Sequence, residues 1–152
     1  VFGSLYCAQA ALPSLIQRQG MIVVTSSIAG FAPLLGRTGY CASKYALHGM
    51  FETARAELLG TGVGVLMVCP SFVDTAIVAN ALDASGGKTS KPRVEMGQAA
   101  SPDHVAERIL AAVRRRRRFL VLSTAGRAAL LLSRLAPGLY ERFIHFRFAE
   151  EL

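Results

Sequence analysis

An α/β fold built on a parallel sheet is what this sequence predicts, and three observations predict it. Met21 to Thr25, Val63 to Cys69 and Phe119 to Ser123 are short apolar runs rich in Val, Leu and Ile, the composition of strands covered on both faces. Between them lie longer stretches whose apolar residues recur at helical spacing. Breakers stand at the junctions: Gly20, then Gly60 and Gly62, then Ser101-Pro102. The chain has 152 residues, 52% of them hydrophobic, with a mean hydropathy of +0.38. That is enough for one domain with a real core and too apolar for a disordered chain.

Residues 1–19 carry apolar side chains at helical spacing, and Gln19-Gly20 stops that helix, with Pro13 expected to bend it or to fall near its last turns. Met21 to Thr25 follows as a parallel strand. In open α/β sheets ligands bind beyond the carboxyl ends of the strands, and Ser26 and Ser27 sit at such an end. Ser26 is expected to satisfy nearby backbone. The apolar loop of Phe31, Ala32, Pro33, Leu34 and Leu35 either lines a substrate or packs on the core. A helix from about Tyr40 to Leu59 then presents Ala46, Leu47, Met50, Phe51, Ala54 and Leu58 along one side.

The second strand ends at Cys69 and leads into Pro70-Ser71-Phe72-Val73-Asp74-Thr75. A short helix is expected over Ala76 to Leu82, with Thr75 placed to cap it. Residues 83–101 are polar and aperiodic, which reads as a substrate lid. Ser101 as cap and Pro102 at the first helical position open the next helix, which runs into the arginines Arg114 to Arg118. After the third strand, residues 124–152 form an amphipathic helical segment. Its arginines interrupt any run of the roughly 18 or more apolar residues that would span a bilayer. The segment covers the core or a subunit interface, or lies on a membrane surface.

The chemistry concentrates between Ser27 and Lys44. Residues four apart on a helix stand one above the other, so Tyr40 and Lys44 become neighbours. A free phenol titrates near ~10, and a cation a few ångströms away favours the phenolate, toward the range where a general acid or base works best. Tyr40 can then exchange a proton with a carbonyl or alcohol oxygen while Ser27 holds that oxygen by a hydrogen bond.

Ser27 followed by Tyr40-x-x-x-Lys44, after the strand GMIVVTSS, resembles the signature of the short-chain dehydrogenases/reductases. The resemblance implies a Rossmann-type doubly wound sheet and an NAD- or NADP-dependent exchange of carbonyl and alcohol. It implies that Lys44 also binds the nicotinamide ribose. Pro70, Ser71, Val73 and Thr75 would contact the cofactor, with the Val73 backbone and Thr75 hydroxyl on the carboxamide. Ser71 stands where the family carries glycine. Gly3 matches the glycine of the family's Asn-x-x-Gly, so the chain corresponds to the family's second half, three strands with flanking helices. The cofactor-binding N-terminal half, with its glycine-rich turn, is missing. Such a fragment is expected to fold poorly and to lack activity alone. The resemblance further implies a homo-oligomer through the helix after Tyr40, although that face can equally be core.

Cys7, Cys41 and Cys69 form no C-x-x-C pair and read as small core residues of a reducing, cytoplasmic compartment, with membrane association left open by the tail. His48, His104 and His145 are scattered, and no metal is assigned. Seventeen basic against ten acidic residues give +7. The arginine run is read as complementing a helix C-terminus rather than as a nucleic-acid surface, because no recognition motif or interleaved aromatic accompanies it. An oxidoreductase acting on an apolar lipid, steroid, retinoid or acyl compound is the leading function. A non-catalytic scaffold working through its basic, amphipathic tail at a membrane or partner surface is the alternative.

Overall fold

The three apolar runs pair as a parallel sheet in the order β1 (Met21–Thr25), β2 (Gly64–Cys69), β3 (Phe119–Val121) in the computed structural model, which describes residues 1–77, 80, 86–87 and 99–149. Register runs from Met21 opposite Gly64 to Thr25 opposite Val68, and from Met67 opposite Phe119 to Cys69 opposite Val121. Among the described residues five α-helices surround the sheet: α1 (Phe2–Arg18), α2 (Thr38–Glu57), α3 (Pro102–Arg114), α4 (Thr124–Leu135) and α5 (Pro137–Phe148). A 3-10 turn, Ile28–Gly30, links β1 to the approach of α2.

The period-2 alternation of β2 divides the core between the two faces. Val65 and Met67 pack with Val24, Leu47 and Phe51 under α2, with Ala8 of α1 at the margin. Leu66 and Val68 pack with Leu120 and Ala112 under α3. Val65 to Cys69 are all but fully buried, and each such apolar side chain contributes roughly 1.5–3 kcal/mol. A third cluster lies beyond the carboxyl ends of the strands, where Phe31, Ala32, Cys69 and Val121 meet Tyr140 and Ile144 of α5. Helices on both faces of a parallel sheet make the doubly wound arrangement that the sequence predicts. Among the described residues β1 pairs only with β2, and Val23 stays 40% exposed.

Several expectations change in detail. α2 begins at Thr38, so Tyr40 lies in its first turn. α1 continues through Pro13 to Arg18 and turns off at Gln19 in the left-handed region, φ 50°. Cys7 is exposed rather than core. The tail is not one helix: Ala136 leaves helical geometry and Pro137 starts α5, because the residue before a proline is pushed out of the α region. Of the tail's open readings the core-covering one describes Tyr140 and Ile144, which are buried, with the Tyr140 hydroxyl donating to the Pro33 carbonyl at 3.1 Å. In the preceding loop Phe31 and Ala32 are core, whereas Leu34 and Leu35 are half-buried. Residues 83–98, apart from 86–87, lie outside the described residues, as does much of the helix expected over Ala76 to Leu82. No helix among the described residues is long and apolar enough to cross a membrane.

The arginine run does more than complement a helix end. Arg114 closes α3, and Arg116, held at φ 46°, turns its guanidinium back across the amino ends of the strands. It donates to the carbonyls of Gln19 at 3.0 Å and Gly20 at 3.4 Å, and to that of Gly62. One planar fork with several donors thereby ties together the loops that enter β1 and β2.

Candidate active site

Chain order brings the predicted residues to the opposite, carboxyl end of the sheet. β1 stops at Thr25, and the next two residues send their side chains in different directions. Ser26 is 4% exposed, while Ser27 is half-buried and caps the 3-10 turn by accepting from the Ala29 N–H at 3.2 Å. Tyr40 is 47% exposed on the first turn of α2. Lys44, one turn further on, places its ammonium 5.7 Å from the Tyr40 ring centroid, within cation–π range. The same ammonium donates to the Thr25 carbonyl at 3.4 Å. Lys44 therefore touches both the phenol ring and the strand end two residues before Ser27. Tyr40, Lys44 and the Thr25–Ser27 segment gather at one end of β1.

The cofactor candidates follow β2 at the neighbouring strand end. Pro70 and Ser71 come directly after Cys69, and Val73 bridges Ala100 in parallel fashion. In that bridge the Ala100 N–H donates to the Phe72 carbonyl and the Asp74 N–H to the Ala100 carbonyl, both at 3.0 Å. Val73's own N–H and C=O lie outside the pairing. Thr75 is exposed at a bend, and the Asn80 N–H reaches the Ala76 carbonyl at 3.1 Å.

Sequence reasoning missed His48. Ser26 was expected to satisfy backbone, yet its hydroxyl meets the His48 Nε2 at 3.0 Å in the buried interior, while its N–H extends the sheet by donating to the Val68 carbonyl at 2.8 Å. His48 Nδ1 lies 3.2 Å from Glu52 Oε1. Cys69 Sγ is 3.7 Å from the same Nε2, and burial, reinforced by the Glu52 charge, pushes this thiol up to about 12 against an opposing backbone hydrogen bond from Ser27. Burial also lowers His48 from its ordinary range, more than Glu52 raises it, which favours the neutral ring. The available signal was spacing: Tyr40, Lys44, His48 and Glu52 recur every fourth residue.

A phenol ring under an ammonium, at the carboxyl edge of a parallel sheet with helices on both faces, belongs to an α/β protein of doubly wound, Rossmann-like fold. The family model described as short chain dehydrogenase matches residues 1–86, and the chain belongs to that family. It is 36% identical over 152 residues to dehydrogenase/reductase SDR family member 7B of Bos taurus, covering 99% of this chain and 47% of that protein. The chain spans about half the length of the curated relatives it matches. A short-chain dehydrogenase of Burkholderia cenocepacia, solved in complex with NADP, superposes with a TM-score of 0.78 at 23% identity over 95% of this chain and 55% of the other, a likeness of fold. One from Sphingobium yanoikuyae, in complex with NADPH, gives 0.66 at 25% identity over 93% and 53%.

Proposed function

We propose that this chain carries the acid/base half of an NAD- or NADP-dependent oxidoreductase that interconverts a carbonyl and an alcohol. The observation that carries the reading is the position of the Lys44 ammonium, 5.7 Å from the Tyr40 ring centroid and 3.4 Å from the carbonyl of Thr25, two residues before Ser27. In reduction Tyr40 gives its hydroxyl proton to the oxygen of the reacting carbonyl; in oxidation it takes the proton back. Ser27 holds that oxygen, and Lys44 favours the anionic form of the phenol when the proton leaves. The nicotinamide cofactor, when bound, supplies or accepts the hydride.

Residues of this chain fit such a cofactor. The Val73 N–H and C=O, left outside the bridge to Ala100, are the donor and acceptor that a carboxamide needs. Pro70, Ser71 and the Thr75 hydroxyl stand along the same strand exit, and Lys44 serves the ribose. Two related structures hold NADP or NADPH, which supports the cofactor class. An apolar substrate is supported by Leu34, half-buried in the loop after the serines, and by exposed Ile77 beyond Thr75. Residues 83–101 act as its lid. Residues 1–152 alone turn over no substrate.

A homo-oligomer through α2 is supported by Ala42, Ala46, Gly49 and Thr53, small exposed residues at helical spacing that let a second helix approach closely. Peripheral membrane contact through the tail is supported by exposed Leu131, Leu135, Leu139, Phe143 and Phe146 among Arg127, Arg134, Arg142 and Arg147. In the complete protein, Tyr40→Phe should lose turnover by about a hundredfold or more and still bind NADPH, measured by cofactor fluorescence. Normal turnover in that variant overturns the acid/base reading.

A further inference from the structure

From Tyr40 to Glu52 every fourth residue of α2 is polar, and as far as His48 the stripe descends from solvent into the core. Tyr40 is 47% exposed, Lys44 half-buried and His48 only 6% exposed. The upper pair belongs to the proposed chemistry. The lower pair ends at Ser26: Glu52 Oε1, His48 Nδ1 at 3.2 Å, His48 Nε2, Ser26 Oγ at 3.0 Å. A carboxylate can only accept, so Nδ1 carries the proton and donates to Glu52. Nε2 is then an acceptor, and the Ser26 hydroxyl donates to it.

The order Ser, His, acid is that of a hydrolase's nucleophilic triad, but the hydroxyl here is buried beneath the 3-10 turn. A Cβ added at Gly30 would lie 2.5 Å from His48 Cδ2 and Nε2 and 2.6 Å from Ser26 Oγ. Glycine thus allows the turn that Ser27 caps to close directly over the pair. The His48 ring is also seated edge-on to Phe31 and Phe119, at centroid distances of 6.2 and 5.7 Å. Ser26 is peptide-bonded to Thr25, whose carbonyl receives Lys44, and to Ser27, the oxygen binder.

We propose that Ser26, His48 and Glu52 form a positioning chain that fixes α2 against the end of β1 and so sets the separation of Tyr40 from Ser27. The proposal rests on the oxidoreductase reading above. Lys44 alone is a poor spacer, a flexible stem reaching one carbonyl at 3.4 Å. The imidazole is rigid, buried and bonded at both nitrogens, and it acts on the residue between the two positions the chemistry uses. A misplacement of about 1 Å far from the reacting atoms can cost a hundredfold in rate.

The test uses the complete protein with NADPH and an aromatic ketone as probe. Ser26→Ala removes the donor; His48→Phe keeps a ring among Phe31 and Phe119 and serves if the first variant fails to fold. Turnover is expressed per NADPH-binding site, titrated by cofactor fluorescence, so that a merely structural loss of folded protein does not register. The expected result is a fall in kcat of about tenfold to a hundredfold with NADPH affinity unchanged. Tyr40→Phe is measured alongside. If Tyr40→Phe is inactive while kcat per site is unchanged in the positioning variant that folds, the positioning chain is wrong and the acid/base reading stands. If Tyr40→Phe is active, the acid/base reading itself fails.

Discussion

The two ends of the sheet treat their polar groups in opposite ways. At the amino end Arg116 spends its guanidinium on the carbonyls of Gln19, Gly20 and Gly62, and the fork is committed to backbone. At the carboxyl end Tyr40 stays 47% exposed, Lys44 makes a long bond to the Thr25 carbonyl, and the Ser27 hydroxyl accepts from the Ala29 N–H. A parallel sheet gathers its loops at both ends, and the difference shows how one end becomes a clamp while the other keeps chemistry available. The largest effect that tests this contrast is Lys44→Met. With the stem kept and the charge gone, turnover of the complete protein should fall by about a hundredfold or more while its melting temperature moves little. A collapse of stability with turnover per folded molecule intact would place Lys44 in the clamp class instead.

This contrast was only half legible in the sequence. Tyr40 and Lys44 could be read because their relation is local, one helical turn, and Ser27 because an apolar β-branched run must end where it does. The strands were equally plain, since β2 is buried on both faces and needs no alternation to announce it. What escaped were relations across distance. Ser26 and His48 are separated by twenty-two positions, and Arg116 reaches back to Gln19 over ninety-seven. Pattern fixes which face a residue occupies but not which buried donor it meets. The break at Ala136 was visible in Pro137, yet the amphipathic tone of the tail outweighed a single proline.

A smaller effect is expected at the clamp. Arg116→Met should lower the unfolding free energy by about 1.5–3 kcal/mol, the range for hydrogen bonds involving a charged group, and leave kcat alone. Arg116→Gly loses the same bonds but relieves a left-handed residue at φ 46°, so it should be the milder of the two. Chemical denaturation of both variants checks the order. An equal or larger loss with glycine would mean that the backbone there carries no strain worth releasing.

The smallest effect sits where the tail closes over the carboxyl end. Burial, helped by the charges that Tyr45 and Cys41 would carry, pushes the Tyr140 phenol from its ordinary 10.0 up to about 12. Folding therefore favours the neutral phenol. The stability this contributes is complete below pH 10 and is lost as pH rises through about 12, because the unfolded chain releases the proton first. Tyr140→Phe removes the hydroxyl that donates to Pro33 and should cost about 0.5–1.5 kcal/mol at neutral pH. The same change abolishes this group's part of the alkaline decline, so wild type and variant should converge between pH 10 and 12. Parallel curves over that interval would show that Tyr140 titrates freely and that α5 does not hold the site's loop from behind.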